Sequence, residues 1–582
     1  MSDSNPLKII TYLISGFFLI LLAALFKLQI LEGKKYDQIA ENNIVRIKVT
    51  FPIRGEIYDH KFRPIATNKP SFNLYITPGR IRNKETVINF VSGDFNMDRE
   101  EIRKVIHENR FRLHQDILLI QNIPYEKMIR TSEFLNYYPS LDFKTEAIRE
   151  YAFPNHFTGH LGRINEKEYL EKKDLGYTIN SYLGKNGLEQ SYETILRGKN
   201  GYNVIQVDAS GKYLQFFKHN LDKPAQNGAD LILSIDNDLQ NYVVDILPPK
   251  ERSAVVVMDT ETGEILAYVS KPDFDLNIFS SNISQEDWNK ISNDESKPML
   301  DRVIHGTYPP GSVYKPILAT LGLESGTILP ETKLADCTGG LLIGDRFFKC
   351  WWEKGHGRLN VTEAIKVSCD VFFYDLSTKL SLAQMGDFTK LNMLTVKTGI
   401  DLPGERSGFF PTREWYVETY GKYTSIIGQK VNLAIGQGEI LTTPLQICAY
   451  FAALANDGVW KRPHLLKKSI SKNANQPYEI YEQKLPVSDE NMKLIQHALW
   501  KAVNERYGTG TAASVGGVDV CGKTGSAENH MGDETHSWFA GYAIGRNYKI
   551  SLVVFLENAG HGGSISAPLA GKIIQFYNGL EK

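Results

Sequence analysis

Three short segments, in this order along the chain, hold residue types that can run acyl transfer: Ser312-Val-Tyr-Lys315, Ser368-Cys-Asp370 and Lys523-Thr-Gly525. The first offers a nucleophilic hydroxyl and an amine to take its proton. The second offers a hydroxyl that can relay that proton, and the third a cation for a substrate carboxylate. Patterns this short recur by chance, and two of them do: Ser469-Ile-Ser-Lys472 repeats the first and Lys397-Thr-Gly399 the third. Context separates the copies. Tyr308-Pro-Pro-Gly-Ser312 is a turn signal ahead of the apolar run Ile317-Leu-Ala-Thr-Leu-Gly-Leu323. Ser312 is therefore expected at a helix start, favoured by the dipole, with Lys315 one turn on and facing it. Ser469 falls in the polar stretch 467–476, which reads as a solvated loop. Lys523 follows Val518-Asp-Val-Cys-Gly522 and precedes two more strand-like runs, 537–543 and 550–555, so it lies on the edge of a meander. Lys397 sits between a helix expected over 382–393 and the turn-rich Asp401-Leu-Pro-Gly404, and reads as a solvated lysine.

Positioning such a set takes a sheet with helices around it. The run 254–269 reads as a hairpin with a Thr-Gly turn, 310–510 as mainly helical with loop insertions, and 569–578 as a closing helix. Strands from both ends of the region would then form one antiparallel sheet with helices packed on it, an α+β enzyme domain. The sharpest composition break, Lys223-Pro-Ala-Gln-Asn-Gly228, sets a boundary near 225. The expected division is 1–30 cytoplasmic tail and anchor, 36–225 a mixed α/β pedestal, and 228–582 the catalytic domain.

The run 9–26 carries no charge and just reaches spanning length. No small-x-small cleavage site follows it, so it is expected to stay as a transmembrane anchor. Lys8 precedes the span while Lys27, Lys34 and Lys35 follow it, against the usual cytoplasmic bias. Placing the bulk outside the cytoplasm therefore rests on function rather than on the flanks. At 582 residues, with 42% hydrophobic and 23% charged, the composition is ordinary for a globular protein of several domains. A net charge of -1 and the lack of a long basic run exclude nucleic acid as a partner.

The order and surroundings of the three segments resemble the transpeptidase domain of the class B penicillin-binding proteins. Further segments of that family extend the resemblance over nearly the whole chain: Arg54-Gly-Glu-Ile-Tyr-Asp59, Gly187-Leu-Glu189, Gly355-His-Gly357, Gly399-Ile-Asp-Leu-Pro403, Gly436-Gln-Gly438 and Thr442-Thr-Pro-Leu-Gln446. Asp370 in the third place of its motif and the Gly-His-Gly segment are more similar to the elongation type than to the septal one. His60-Lys-Phe62 departs from the family's usual Arg-Asn-Gly, which touches a turn and not the chemistry.

The resemblance implies a substrate, a peptidoglycan stem peptide ending in D-Ala-D-Ala, and a role for each residue. Ser312 attacks; Lys315, kept neutral by burial and by Lys523, takes its proton; Ser368 carries the proton to the leaving D-Ala; Asp370 orients Lys315 or a substrate amide. Lys523, Thr524, Gly525 and Ser526 form the carboxylate-binding strand, and the N–H groups of Ser312 and Ser526 the oxyanion hole. A β-lactam would trap the same serine. It further implies a bacterial inner-membrane location with the catalytic domain on the periplasmic side. The implied partners are a SEDS-family, RodA-type glycosyltransferase and scaffold proteins of the elongation complex. A D,D-carboxypeptidase, a β-lactamase, or a membrane scaffold that activates a glycosyltransferase are the competing readings.

Of five cysteines, Cys337, Cys350 and Cys369 fall in one stretch with His356 between them. From the residues alone, an oxidising compartment favours a disulfide, while the odd count and the histidine admit a Cys3His zinc site. The resemblance implies the latter, a structural Zn2+ that would fix the loop carrying Ser368. Cys448 reads as packing within an apolar helix over 445–454.

Overall fold

Pro6–Phe26 forms a helix in the computed structural model, which describes every residue except 1–5, 35–44, 114, 179–180, 208–212, 217–221, 250, 281–282, 422–425, 472–473, 529–533 and 582. Lys35, one of the flanking charges, lies outside the described residues. The stretch Leu7–Leu31 is 25 residues long, reaches a mean hydropathy of 2.5 and has no buried residue, so it is long and apolar enough to cross a membrane.

Contacts divide the chain into two units that interleave in sequence. One gathers Met1–Arg54, Ser71–Glu146 and Arg197–Gly228; the other gathers Gly55–Pro70, Ala147–Leu196 and Ala229–Lys582. In the first, Val45–Thr50 pairs antiparallel with Gly201–Val207, and the later half of the long strand Pro64–Ile76 pairs with Ile117–Ile123. Helices Lys84–Phe95 and Arg99–Glu108 begin at Asn83 and Asp98, whose side chains accept from free N–H groups of the first turn. Their apolar positions, among them Val87, Ile88, Val91, Ile102 and Ile106, share a core with Leu74 and Ile76 of the strand.

The second unit is built on a five-stranded antiparallel sheet. Its strands are β1 (Ser253–Asp259), β2 (Ile265–Lys271), and later in the chain β5 (Asp519–Ala527), β6 (His536–Ile544) and β7 (Lys549–Leu556), in the spatial order β2-β1-β7-β6-β5. Between them come helix α1 (Lys315–Glu324), a hairpin of β3 (Gly340–Ile343) and β4 (Arg346–Lys349), and helices α2 (Asp370–Lys379) and α3 (Pro444–Ala455). The chain returns through β5 (Asp519–Ala527), β6 (His536–Ile544) and β7 (Lys549–Leu556) and closes with helix α4 (Ser566–Leu580).

The period of two in β1 explains why both faces of this sheet are covered. Ala254, Val256 and Met258 join the core that holds α1 and α3, while Val255 and Val257 join the core that holds α4. Every residue of α3 is buried, Cys448 included, as befits a helix apolar on all sides. β5 ends the sheet, with Lys523 opposite Ala540 and Thr524 opposite Phe539.

N-terminal stretches complete this unit. Ile57–Tyr58 runs parallel to Asp230–Leu233, and Gly55 passes so close to Ala229 that a Cβ would lie 1.9 Å from its carbonyl oxygen. Asp59 is fully buried and accepts from Lys61 N, Arg63 N and Arg63 Nε. Arg149 and Glu189 form a buried ion pair at 2.6 Å, and Arg149 also donates to the Gly55 carbonyl. These contacts account for the Arg54–Asp59 and Gly187–Glu189 segments.

One expectation fails here. The stretch 467–476 is not a solvated loop: Leu466–Ser471 pairs with both Asp230–Leu233 and Ala474–Pro477, and Ser469 is buried. Its burial comes from backbone pairing at a sheet margin, where polar side chains are tolerated, so composition gave no strand signal. Lys472, the amine of that second motif copy, lies outside the described residues.

Candidate active site

Ser312 lies on a 3-10 turn, Gly311–Tyr314, that runs straight into α1. Glycine is required at 311: its φ is +57°, and a Cβ there would sit 2.9 Å from the Ser526 carbonyl oxygen. The turn is held from two sides. Gly311 N donates to the Gly436 carbonyl at 2.9 Å, while Gln437 Nε2 donates to the Ser526 carbonyl at 3.1 Å. Behind them Trp538 Nε1 donates to the Pro309 carbonyl at 3.1 Å. Trp538 is itself fully buried in the core.

Lys315 opens α1 with no exposed surface. Its Nζ donates to Asp370 Oδ1 at 2.7 Å, to the Ser368 carbonyl at 2.9 Å and to Ser368 Oγ at 3.1 Å. Ser368 sits in the left-handed region at φ +55°, a conformation that costs a non-glycine residue roughly 1–3 kcal/mol and persists where surroundings enforce it. Its N–H donates to the Ile365 carbonyl and that of Cys369 to Ala364, ending helix Val361–Lys366 just before α2 begins at Asp370.

Lys523 is fully buried in β5, its Nζ donating to the Thr524 carbonyl at 3.0 Å. Burial pushes its proton affinity far below that of a free lysine; the charge of Lys315 adds to this and Asp370 opposes it. Lys315, by contrast, faces the Asp370 carboxylate. Thr524 and Gly525 are buried beside it, and Gly525 lets β5 pass close to Pro310 and Val313. Ser526 is partly exposed at the rim, its Oγ accepting from Gly562 N at 3.3 Å and lying 3.4 Å from His561 Nδ1.

Cys337, Cys350, His356 and Cys369 also converge, their donor atoms all within 4.8 Å of one another. His356 Nδ1 is 3.6 Å from Cys337 Sγ and 3.5 Å from Cys350 Sγ. All five cysteines are free thiols and buried, so the disulfide alternative is not what the fold builds. Donation from Cys369, and to a lesser degree from His356, favours ionisation of the Cys350 thiol, and the same contact disfavours that of Cys369. Gly355 explains the Gly-His-Gly segment: at φ +79° it passes where a Cβ would lie 2.1 Å from the Cys337 carbonyl oxygen.

The structure therefore gathers Lys315, Ser368 and Asp370 by direct contact. Lys523 joins them through its electrostatic coupling to both charges, and Ser312 through the turn pressed on Ser526. Lys397 of the rival motif is exposed. Sequence alone gives no role to Trp351, Gln437 or His561, although Gln437 and His561 are each flanked by glycines.

A serine, two amines and a carboxylate arranged in this way on such a sheet define a serine acyltransferase, and comparison with known proteins gives the family. Residues 253–575 match the penicillin binding protein transpeptidase domain, and residues 49–233 match the penicillin-binding protein dimerisation domain. The chain belongs to the penicillin-binding proteins, class B, elongation type. It is 30% identical to the peptidoglycan D,D-transpeptidase MrdA of Haemophilus influenzae over 96% of this chain and 89% of that protein. Among solved structures it resembles penicillin-binding protein 2 of Helicobacter pylori in complex with MreC. The TM-score is 0.81 and the identity 27%, over 92% of this chain and 99% of that one. A chain from a peptidoglycan synthase complex that coordinates polymerization and crosslinking aligns at TM-score 0.72 and 26% identity, over 100% of this chain and 99% of that one.

Proposed function

We propose that this chain is a peptidoglycan D,D-transpeptidase of cell-wall elongation and cell-shape maintenance, cross-linking stem peptides that end in D-Ala-D-Ala. The observation that carries the reading is the grip of Lys315 on Ser368 and Asp370 beside a serine turn clamped to the Lys-Thr-Gly strand. Ser312 Oγ attacks the penultimate carbonyl and its proton goes to Lys315. Ser368, 3.1 Å from that amine, passes the proton to the departing D-Ala nitrogen. An amine of a neighbouring stem peptide then takes the acyl group from Ser312 and restores the hydroxyl. The N–H groups of Ser312 and Ser526 hold the oxyanion, an effect worth about 3 to 4 kcal/mol for a single donor.

The substrate's carboxylate, beside Lys523 and Thr524, gives Lys523 a counter-charge and so favours its ammonium form. A β-lactam offers a carboxylate and an acylating carbonyl in the same places and acylates Ser312.

The Cys3His cluster is suited to a structural Zn2+. Zinc-bound sulfur and nitrogen at tetrahedral angles lie about 3.5 Å apart, which the contacts of His356 with Cys337 and Cys350 match. With four protein ligands such an ion leaves no open position for chemistry and would anchor Cys369 between Ser368 and Asp370.

The apolar helix supports a single-pass anchor in the bacterial inner membrane, with residues 36–225 as pedestal, of which Gly55–Pro70 and Ala147–Leu196 pack within the catalytic body, and 228–582 as transpeptidase domain on the periplasmic side. The relatives solved with MreC and within a synthase complex support elongation scaffold proteins and a RodA-type SEDS glycosyltransferase as partners.

Labelling with a fluorescent penicillin tests the site. The full chain should label and Ser312→Ala should not; normal labelling of S312A would overturn the assignment. Release of D-Ala with and without an amine acceptor separates transfer from hydrolysis.

A further inference from the structure

Trp351 follows Cys350 and is half-exposed, yet it reaches two of the groups that hold Lys315. Its backbone N–H donates to Asp370 Oδ2 at 2.9 Å, so the two carboxylate oxygens are divided between Trp351 and Lys315. Its indole Nε1 donates to the Ser368 carbonyl at 3.1 Å, shared with the Val367 carbonyl at 3.1 Å. The Ser368 carbonyl thus accepts from Lys315 Nζ and from the indole, which uses both of its lone pairs. Ser368 is the residue whose left-handed backbone must be enforced from outside. The indole ring also lies 5.4 Å from the His356 ring, which places it between the thiol cluster and the relay.

We propose that Trp351 is a positioning residue for acyl transfer: its two N–H groups fix the Ser368 peptide and the Asp370 carboxylate so that Ser368 Oγ stays on Lys315. This rests on the transpeptidase reading above. The indole hydrogen bond acts on the rate of the chemical step and not on ligand binding, because it contacts the relay's backbone and no substrate atom.

Two substitutions separate the N–H group from the ring. Trp351→Phe keeps an aromatic ring and loses the donor; Trp351→His keeps a ring N–H two bonds from Cγ, where the indole nitrogen sits. The full chain in detergent is mixed with a fluorescent penicillin, and acylation is resolved into the dissociation constant of the first complex and the rate constant of acylation. W351F is expected to lower the acylation rate constant ~5- to 10-fold, the weight of one hydrogen bond, with the dissociation constant unchanged. W351H is expected to recover to within ~2-fold of the parent. Should W351F also lower the melting temperature, the comparison with W351H at matched temperature below both transitions decides. An unchanged rate constant in W351F, an equal loss in W351F and W351H, or an effect confined to the dissociation constant would overturn the proposal. Failure of the underlying reading is visible separately, as labelling of S312A in the same assay.

Discussion

Lys523 shows how function and stability oppose each other at a single side chain. Folded, it holds a proton less readily than a free lysine at 10.5, mainly because it is buried and then because Lys315 is near. Between its folded-state value and 10.5 the unfolded chain binds more protons than the folded one, so the penalty on folding is full below that window and fades as pH rises through it toward 10.5. Lys523→Met should therefore raise the melting temperature at neutral pH, with the gain shrinking in alkaline buffer, while acylation by penicillin falls by on the order of 10²-fold. Thermal unfolding across a pH series checks the first half and labelling kinetics the second. A gain independent of pH would show that packing, and not the proton, is responsible. The residues with chemistry of their own could be picked out from type and order. The left-handed Ser368 and the reach of Trp351 could not, since neither leaves a mark within a few residues of itself.

At the level of elements, the sheet was legible because its strands are short, apolar and bounded by turns, and because both ends of the region carried them. The hairpin around 466–477 was not, since its burial is supplied by neighbours in space and not by its own side chains. The loop from β4 to α2 is the element on which most depends. It carries Cys350, Trp351, His356, Ser368 and Cys369, and it is fastened by the thiol cluster, by the polar contacts around Asp370, and by ion pairs of Glu363 with Lys501 and of Lys366 with Glu505. Purified chain should contain one zinc per molecule by elemental analysis. Cys337→Ser should lose that zinc, melt several degrees lower and acylate more slowly, although Cys337 touches none of the reacting groups. Metal-free wild type with full acylation would show that the cluster is not needed for the relay.

For the whole molecule, attachment and catalysis should be separable. The chain is expected to sediment with membranes, and a version lacking residues 1–34 to remain in the supernatant after lysis while labelling with penicillin at a rate within ~2-fold of the parent, since the site lies entirely in the other unit. Membrane sedimentation of the shortened chain would point to a second attachment. The interleaving of the two units has a consequence for ancestry as well. Because Gly55–Pro70 and Ala147–Leu196 belong with the C-terminal body, a single recombination crossover near 225 would not trade one pedestal for another. It would pair Arg149, Glu189 and Asp59 of one lineage with the Ala229 strand of a different one. Intact hybrids between relatives are therefore expected to inherit those two stretches together with the catalytic half, so that the gene is exchanged as a mosaic and not as two modules.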